Sequence, residues 1–229
     1  MISTIPISIA IARVIVILIS LGLWFWTQWL LSKRAPITTA VETATISDGL
    51  HRMTVRLNTR LLDRPGHANA LLISSSLVID LLGFYLLGSA ILGPSILPFF
   101  GLLMLFALRQ ICQAFCPLPP PAGMIWRKTG FPTILVTYGT SNDLFFSGHT
   151  AIAVYGAAIL ATAFGPVGIM LGLGIAAFEI TAVLLLRAHY TMDVFTGAIT
   201  ALYVHRLAMD WSPAIDHWIA HAITLFGHS

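Results

Sequence analysis

The chain has 229 residues, of which 57% are hydrophobic and 9% are charged, with a mean hydropathy of +0.88. A soluble domain carries about 25% charged residues, so the composition excludes an ordinary soluble protein and predicts an integral multi-pass membrane protein. The formal net charge is only +3, and we expect no nucleic-acid partner.

Six apolar segments follow one another along the chain. A membrane-spanning helix needs about 20 apolar residues, and most of these segments approach that length. We therefore predict an all-α fold, a single membrane domain over residues 1–229 with six transmembrane helices. The predicted spans cover residues 14–31, 68–92, 94–116, 149–164, 167–186 and 189–209. Gly165-Pro166 separates the fourth span from the fifth, because proline cannot continue a helix without a break.

The first long loop contains a basic amphipathic pattern over residues 47–64. Arginines recur at every fourth position, and apolar residues mark another side; these are Arg52, Arg56, Arg60 and Arg64, with Leu50, Met53, Leu57 and Leu61. The pattern predicts an interfacial helix on the membrane surface, which serves as an anchor or as a gate beside the active site. A solvated helix face is the alternative.

Residues 210–229 form an amphipathic tail that contains His217, His221 and His228. Histidines suggest a metal, but an amphipathic tail on the surface is the simpler interpretation of this pattern. We therefore predict a surface tail and no metal site.

Two carboxylates fall inside the predicted spans. Asp80 lies in the second span and Glu179 in the fifth. An ionisable residue inside a membrane is a candidate for function. For Asp80 the alternative is structural pairing with a serine or threonine, and the role of Glu179 is left open.

Two histidines stand at the heads of predicted helices. His189 and Asp193 are four residues apart, one turn along a helix, so the carboxylate can orient the imidazole and leave its other nitrogen free as a base or nucleophile. Arg187 adds a cation at the same end. Ser147-Gly148-His149 precedes another span, and Ser147 is a good N-cap beside an anion-binding helix start. The pattern predicts one phosphate site shared between two helices.

These motifs resemble those of the lipid phosphatase and phosphotransferase (PAP2-like) superfamily. Asp143 through Thr150 is similar to the Asp-x3-Ser-Gly-His-Thr motif of its sphingomyelin synthase branch, and His189 through Asp193 to the His-Tyr-Thr-x-Asp motif. Further features resemble the plant phosphatidylcholine:diacylglycerol cholinephosphotransferases. They are Leu144 to His149, the block that begins at Arg187, Pro117-Leu118-Pro119 and Arg56-Leu57-Asn58.

The resemblance implies roles for individual residues. His189 would be the nucleophile, Asp193 would orient it, and His149 would act first as acid and then as base. The expected phosphate-binding residues are Arg109, Arg187, Ser147 and Gly148. No metal or other cofactor is implied. The expected partners are a membrane phospholipid donor and a lipid alcohol acceptor, either diacylglycerol or ceramide.

Aromatic residues of the loop before the first motif are candidates for binding the head group. An aromatic face attracts a quaternary ammonium, and a carboxylate adds charge. The candidates are Trp126, Tyr138, Asp143, Phe145 and Phe146. Packing in the core is the alternative for each aromatic.

The chain departs from the superfamily's phosphatases at two positions. Cys116 and Val183 stand where those phosphatases carry arginines. A phosphate monoester needs more cations than a singly charged diester, so the resemblance implies a diester substrate. Head-group transfer is therefore predicted, with hydrolysis by a lipid phosphatase or phospholipase C as the alternative, and a non-catalytic scaffold or scramblase as a third. Ser141-Asn142 departs from sphingomyelin synthases, which weakens the prediction of a ceramide acceptor.

The two indicators of membrane orientation disagree. The site side carries eight basic residues besides the site arginines, and the other side only Arg13 and Arg206. The positive-inside rule places the site in the cytoplasm. The resemblance to sphingomyelin synthases implies the reverse. The membrane and the oligomeric state are not predicted.

Overall fold

A computed structural model describes residues 5–33, 46–116, 118–136 and 145–226 of the chain. Within these residues every regular element is a helix, so the predicted all-α class is confirmed. The helices are α1 (Ile7–Ser32), α2 (Gly49–Met53), α3 (Val55–Asp63), α4 (Pro65–Leu92), α5 (Leu97–Phe115), α6 (Gly148–Leu185) and α7 (Thr191–Phe226). By length and composition, four of them can cross a membrane, namely α1, α4, α5 and α6.

Helix α6 covers the predicted fourth and fifth spans and reverses direction between them. Gly165 has non-helical angles (φ 57°, ψ −133°), and Pro166 follows. A Cβ atom on Gly168 would overlap the Leu160 carbonyl, and one on Gly172 would lie 2.7 Å from the Ala157 Cα. Residues after the break therefore pack directly on residues before it. Because the two halves are antiparallel, Gly148 and Leu185 lie at the same end of the molecule.

Helix α7 differs from the prediction of a span that ends near residue 209 and a separate tail. It continues from Thr191 to Phe226 and includes Pro213. Asp216 explains why the tail stays in place, because its carboxylate lies 2.7 Å from the Arg13 guanidinium and accepts from the Ser95 hydroxyl at 2.6 Å. Arg13, which is buried, also donates to the carbonyl of Gly93 at 2.7 Å. The tail is thus fixed to α1 and to the connection between α4 and α5.

The sequence predicts no metal site at the histidines of the tail. The rings of His217 and His221 stack with centroids 6.4 Å apart, while His228 lies outside the described residues. Among the described residues, no group of three or more histidine, cysteine, aspartate or glutamate side chains could hold a metal ion.

The predicted interfacial helix over residues 47–64 is divided into α2 and α3 at Thr54. Asp48 caps α2 by accepting a hydrogen bond from the His51 N–H at 3.1 Å. A single non-helical residue, Arg64, separates α3 from α4. One side of the α2–α3 pair is buried and polar, with His51 and Asn58 on it.

The main hydrophobic core lies between α4, α5, α6 and α7. Close approach is achieved at Gly101, where Tyr155 occupies the space of a side chain and donates its hydroxyl proton to the Leu97 carbonyl at 2.8 Å. This packing aligns the last turns of α5, both ends of α6 and the start of α7. Those predicted site residues that the structure describes lie at that common end.

Candidate active site

A backbone hydrogen bond joins the two predicted motifs. The Ser147 N–H donates to the carbonyl oxygen of Asp193 at 3.1 Å. Gly197, one turn further along α7, allows this approach, because a Cβ atom there would lie 2.7 Å from the Ser147 carbonyl oxygen. The start of α6 and the start of α7 are therefore held together by main-chain contacts.

Ser147 caps α6, as the sequence predicts. Its Oγ accepts from the Thr150 N–H at 3.3 Å and from the Thr150 hydroxyl at 3.0 Å. Both residues are fully buried. An N-cap that is held on two sides fixes the direction in which the first turn of α6 presents its N–H groups.

His189 and Asp193 form the expected pair at the start of α7. The His189 Nδ1 lies 3.7 Å from the Asp193 Oδ2, and the same oxygen accepts from the Tyr190 N–H at 2.8 Å. The imidazole is 4% exposed and the carboxylate residue 1%. This distance is longer than a hydrogen bond. Hydrogen bonds in catalytic sites are often long before substrate binds. Because Nδ1 is directed at the carboxylate, Nε2 lies on the side of the ring away from Asp193.

His149 is buried in the first turn of α6. Its ring meets the edge of Trp126, with centroids 5.3 Å apart at 80°. Its Nε2 has no hydrogen-bond partner among the described residues. His189 and Arg109 lie close enough to His149 to interact with it electrostatically. A buried imidazole nitrogen with no partner of its own can exchange a proton with a substrate oxygen.

Arg109 lies against the start of α6. Its Nε donates to the Phe146 carbonyl at 3.0 Å. A Cβ atom added to Gly148 would lie 3.0 Å from that Nε, so the absence of a side chain allows the guanidinium to approach the helix start. Backbone N–H groups, a helix dipole and a fixed cation then meet at one place, which favours an anion such as a phosphate.

Arg187 is held by backbone oxygen atoms. Its guanidinium donates to the carbonyl of Ala122 and, at 3.2 Å, to the carbonyl of His51. The residue has a positive φ of 52°, at the turn that leads from α6 to His189. These contacts join Arg187 to α2 and to the loop after α5. Its predicted contact with phosphate stays a prediction.

The predicted head-group residues fall into three groups. Trp126 contacts His149 and therefore borders the site. Phe146 is 1% exposed and belongs to the main core, and Phe145 packs against it with ring centroids 6.5 Å apart. Tyr138 and Asp143 lie outside the described residues. Head-group binding by these side chains stays a prediction.

The two carboxylates inside the helices have different partners. Asp80 accepts from the backbone N–H groups of Ile134 and Leu135 at 3.0 and 2.8 Å. It thus holds the loop that also carries Trp126, which is a structural role. Its partners among the described residues are backbone N–H groups and not the expected serine or threonine hydroxyl. That pairing occurs at Glu179, which accepts from the Ser75 hydroxyl at 2.6 Å. The sequence alone could not show these contacts, because the partners of both carboxylates are distant in the chain.

Three residues hold the segment that carries His189, and the sequence did not predict this role for them. We call residues 185–191 the His189 loop, and Asp48, His51 and Asn58 the clamp. Asp48 accepts from both the N–H and the hydroxyl of Thr191 at 2.7 Å. Burial raises the pKa of the Asp48 carboxyl, but the hydrogen bonds from Thr191 and His51 outweigh burial and leave that pKa below its usual value.

The other two members of the clamp contact backbone carbonyls. The His51 Nε2 lies 3.1 Å from the carbonyl oxygen of His189. Asn58 donates from its side-chain nitrogen to the carbonyls of Leu185 at 2.9 Å and Gly123 at 3.1 Å. Burial lowers the pKa of His51 below its usual value. His51 and Asn58 are seven residues apart and so lie on the same side of a helix. This spacing is the feature of the sequence that could have indicated a shared contact surface.

A cleft of about 430 Å³ lies between α2 and the His189 loop. Its walls include Asp48, Arg52, Arg187 and Tyr190. Burial raises the pKa of the Tyr190 phenol, and the nearby charges of Asp193 and Asp48 raise that pKa further. The described lining does not include His149 or Asp193, so the cleft is distinct from the site between the two imidazoles.

Comparison with known proteins identifies one relationship. Residues 140–210 match the family model described as PAP2 superfamily C-terminal, a stretch that contains both histidine motifs. The match supports the lipid phosphatase (PAP2-like) superfamily, whose members are typically phosphatases or phosphotransferases, and it supports a membrane enzyme. No curated protein and no solved structure matches the chain.

Proposed function

We propose that the protein is a phospholipid head-group transferase of the sphingomyelin synthase type, similar to the cholinephosphotransferases that act between phosphatidylcholine and diacylglycerol. The observation that carries this proposal is the hydrogen bond from Ser147 to Asp193, because it holds the two histidine motifs at one buried place. The proposed donor is a glycerophospholipid such as phosphatidylcholine. The proposed acceptor is diacylglycerol or another lipid alcohol.

The first half of the reaction transfers the head group to the enzyme. The Nε2 of His189 attacks phosphorus, and the bond between phosphorus and the glycerol oxygen breaks. His149, protonated at this stage, gives its proton to that oxygen, so a neutral diacylglycerol leaves. Asp193 holds the His189 ring from its Nδ1 side and balances the positive charge that develops there.

The second half returns the enzyme to its starting state. The acceptor hydroxyl gives its proton to His149, and its oxygen attacks the phosphorus. The bond between phosphorus and the His189 nitrogen breaks, and the head group leaves on the new lipid. One phosphodiester is consumed and one is made, so the exchange is nearly isoenergetic. Neither a nucleotide nor a metal enters the balance.

The charge of the site supports a diester substrate. Arg109 lies against the helix start, where a phosphate would bind. Val183, at a position where phosphatases of the superfamily carry arginine, is fully buried in an apolar cluster with Leu72 and Ile125. Cys116 is an exposed residue at the end of α5. A singly charged diester needs fewer cations than a monoester.

Burial of the site supports transfer over hydrolysis. The exposed fractions are 8% for His149, 4% for His189 and 1% for Asp193. A phosphohistidine survives until a lipid alcohol arrives only if water is kept away from it. The edge of Trp126 against His149 covers part of this space.

We further propose six membrane crossings, formed by α1, α4, α5, the two halves of α6 and the first part of α7. The reversal at Gly165 supports this count. By the positive-inside rule, the end with the histidines and the α2–α3 arginines faces the cytoplasm. The test is labelling of a cysteine introduced at Thr59, in a variant whose Cys112 and Cys116 are replaced by serine, in sealed vesicles of known orientation. Labelling only from the luminal or outer side would reverse this assignment.

The proposed reaction is tested with purified protein in bilayers that contain phosphatidylcholine labelled in its head group. Diacylglycerol or ceramide is added as acceptor, and the products are identified by mass spectrometry. Label in newly formed phosphatidylcholine or sphingomyelin is expected, and His189→Ala is the matched control that should form neither. Water-soluble phosphocholine as the main product, with acceptor present, would instead identify a phospholipase C.

A further inference from the structure

The inner side of α2 and α3 contacts the His189 loop mainly through hydrogen bonds. The His51 ring also stacks on Tyr190, with centroids 5.9 Å apart, and Leu61 packs against the apolar cluster that contains Ala188. The clamp residues supply contacts to Thr191, to the His189 carbonyl and to the Leu185 carbonyl. The cleft of about 430 Å³ leaves part of this junction open. A junction that depends on polar contacts beside an open cleft can open locally, so an added interaction on α2 and α3 can change how often the junction is closed.

The outer side of the same helices is basic and partly apolar. Arg56, Arg60 and Arg64 are exposed there, and the large apolar side chains of Met53 and Leu57 stand beside them. Arg52 is also exposed, but it lines the cleft. Met53 is 81% exposed and Leu57 46%. A helix that shows arginines together with exposed apolar residues is typical of binding to an acidic membrane surface.

The position of α3 in the chain places this side at a bilayer surface. Helix α3 ends at Asp63, and the candidate span α4 begins at Pro65. Because one residue separates them, α3 lies close to where α4 enters the membrane. Among the described residues of α2 and α3, Asp63 is the only acidic side chain, so the pair carries a net positive charge toward the head groups.

We propose that α2 and α3 are a sensor of acidic phospholipid, whose binding to the bilayer surface holds the clamp against the His189 loop. Acidic head groups attract the arginines of the outer side, and Met53 and Leu57 enter the interface. The inner side then keeps Asp48, His51 and Asn58 in contact with the loop. Any effect of this sensor on the reaction rate rests on the proposed function. Its effect on the order of the His189 loop does not.

The test measures loop order without using activity. The full chain is placed in nanodiscs of phosphatidylcholine with and without phosphatidylserine, and amide hydrogen exchange is followed in residues 185–191 and 48–58. Phosphatidylserine should slow exchange in both segments. An arginine near an acidic surface contributes about fivefold in affinity, so Arg56→Gln with Arg60→Gln should reduce the lipid response by up to about thirtyfold.

Two controls separate the clamp from the surface charge. Arg206→Gln removes an exposed arginine from α7 and should leave the lipid response intact. Asn58→Ala breaks two contacts of the clamp and should speed exchange in residues 185–191 in either bilayer, whereas Thr59→Ala on the exposed side should not. The four variants together distinguish charge at the surface from contacts at the loop.

Each outcome decides the proposal. Equal exchange in residues 185–191 with and without phosphatidylserine would overturn the sensor, as would an unchanged response in the double arginine variant. Protection that depends on protein concentration and not on lipid charge would identify a second copy of the chain as the occupant. If loop order responds but no head group is transferred, the sensor stands and the proposed function fails. If the head group is transferred but loop order does not respond to lipid, the proposed function stands and the sensor fails.

Discussion

The Ser147 N–H and the Asp193 carbonyl oxygen are 3.1 Å apart, although 46 residues separate them in the chain. This bond joins the turn before α6 to the first turn of α7. It also connects Ser147, which caps the helix of His149, to Asp193, whose carboxylate lies 3.7 Å from the His189 ring. The relative position of the two histidines therefore depends on the main chain at least as much as on their own side chains.

The first prediction concerns the three proposed catalytic side chains. His149→Ala, His189→Ala and Asp193→Asn should each reduce kcat by at least about a thousandfold, with non-additive losses in combination, since the residues act as a unit. The protein should remain extractable and helical, as checked by circular dichroism. His221→Ala, an exposed residue of the tail, is the control. More than about a tenth of the activity left in His189→Ala, a barrier change below about 1.4 kcal/mol, would contradict the nucleophile assignment.

A second prediction tests the close approach at Gly197. The Cβ atom of Gly197→Ala would lie 2.7 Å from the Ser147 carbonyl oxygen, so the start of α6 must move away from α7. Overpacking of this kind costs about 1–3 kcal/mol of stability. Displacement of catalytic groups should lower kcat by about a hundredfold. Gly174→Ala is the matched control, because its Cβ atom would meet nothing within 4 Å.

Thermal unfolding and turnover are measured on both of these glycine variants. The control should match the original protein in each measurement. Full activity in Gly197→Ala would show that the approach of α6 to α7 is not needed for the reaction.

The third prediction is a pH dependence at His51. The groups that face its ring are Asp48, Arg187, Tyr190, Asp193 and the His189 carbonyl. Burial lowers the pKa of docked His51 below its usual value of 6.5. As pH falls below that value, the undocked helix takes up a proton that the docked helix does not, so docking weakens. The lowered pKa of Asp48 acts in the same direction, but only below pH 3.8.

Protection factors of residues 49–58, corrected for the intrinsic exchange rate, measure this effect. They should be constant above about pH 7 and decrease toward about pH 5. His51→Gln keeps a donor for the His189 carbonyl but cannot take up a proton, so its protection should stay constant over the same range. The same decrease in both proteins would exclude His51 as the cause.

The sequence predicted the parts of this structure that depend on local patterns. Ser147 as an N-cap and Asp193 one turn after His189 follow from helix geometry, and the reversal at Gly165 follows from the proline after it. These features involve residues within a few positions of each other. Each histidine motif is likewise a short stretch of the chain, so it can be recognised in the sequence without knowledge of the contact between the two motifs.

Contacts between distant residues could not be predicted. The continuation of α7 depends on Asp216 and Arg13, which are 203 residues apart. The clamp depends on contacts of the same kind, since Asn58 binds the carbonyl of Leu185, 127 residues away. Asp80 has backbone partners in a loop, and a backbone N–H group leaves no mark in the sequence.

The last prediction is a preference for phosphodiesters over phosphatidic acid. Val183 is buried in an apolar cluster and Cys116 is exposed, at the two positions where phosphatases of the superfamily carry arginines. A monoester with up to two charges would then have fewer fixed cations than it needs, whereas a diester carries one charge. The assay offers phosphatidic acid and labelled phosphatidylcholine at equal bilayer fractions, with and without added diacylglycerol. Head-group exchange on phosphatidylcholine should exceed release of inorganic phosphate by at least about tenfold, since one missing charged contact contributes about 1.5–3 kcal/mol. Faster release of phosphate would make the protein a lipid phosphatase.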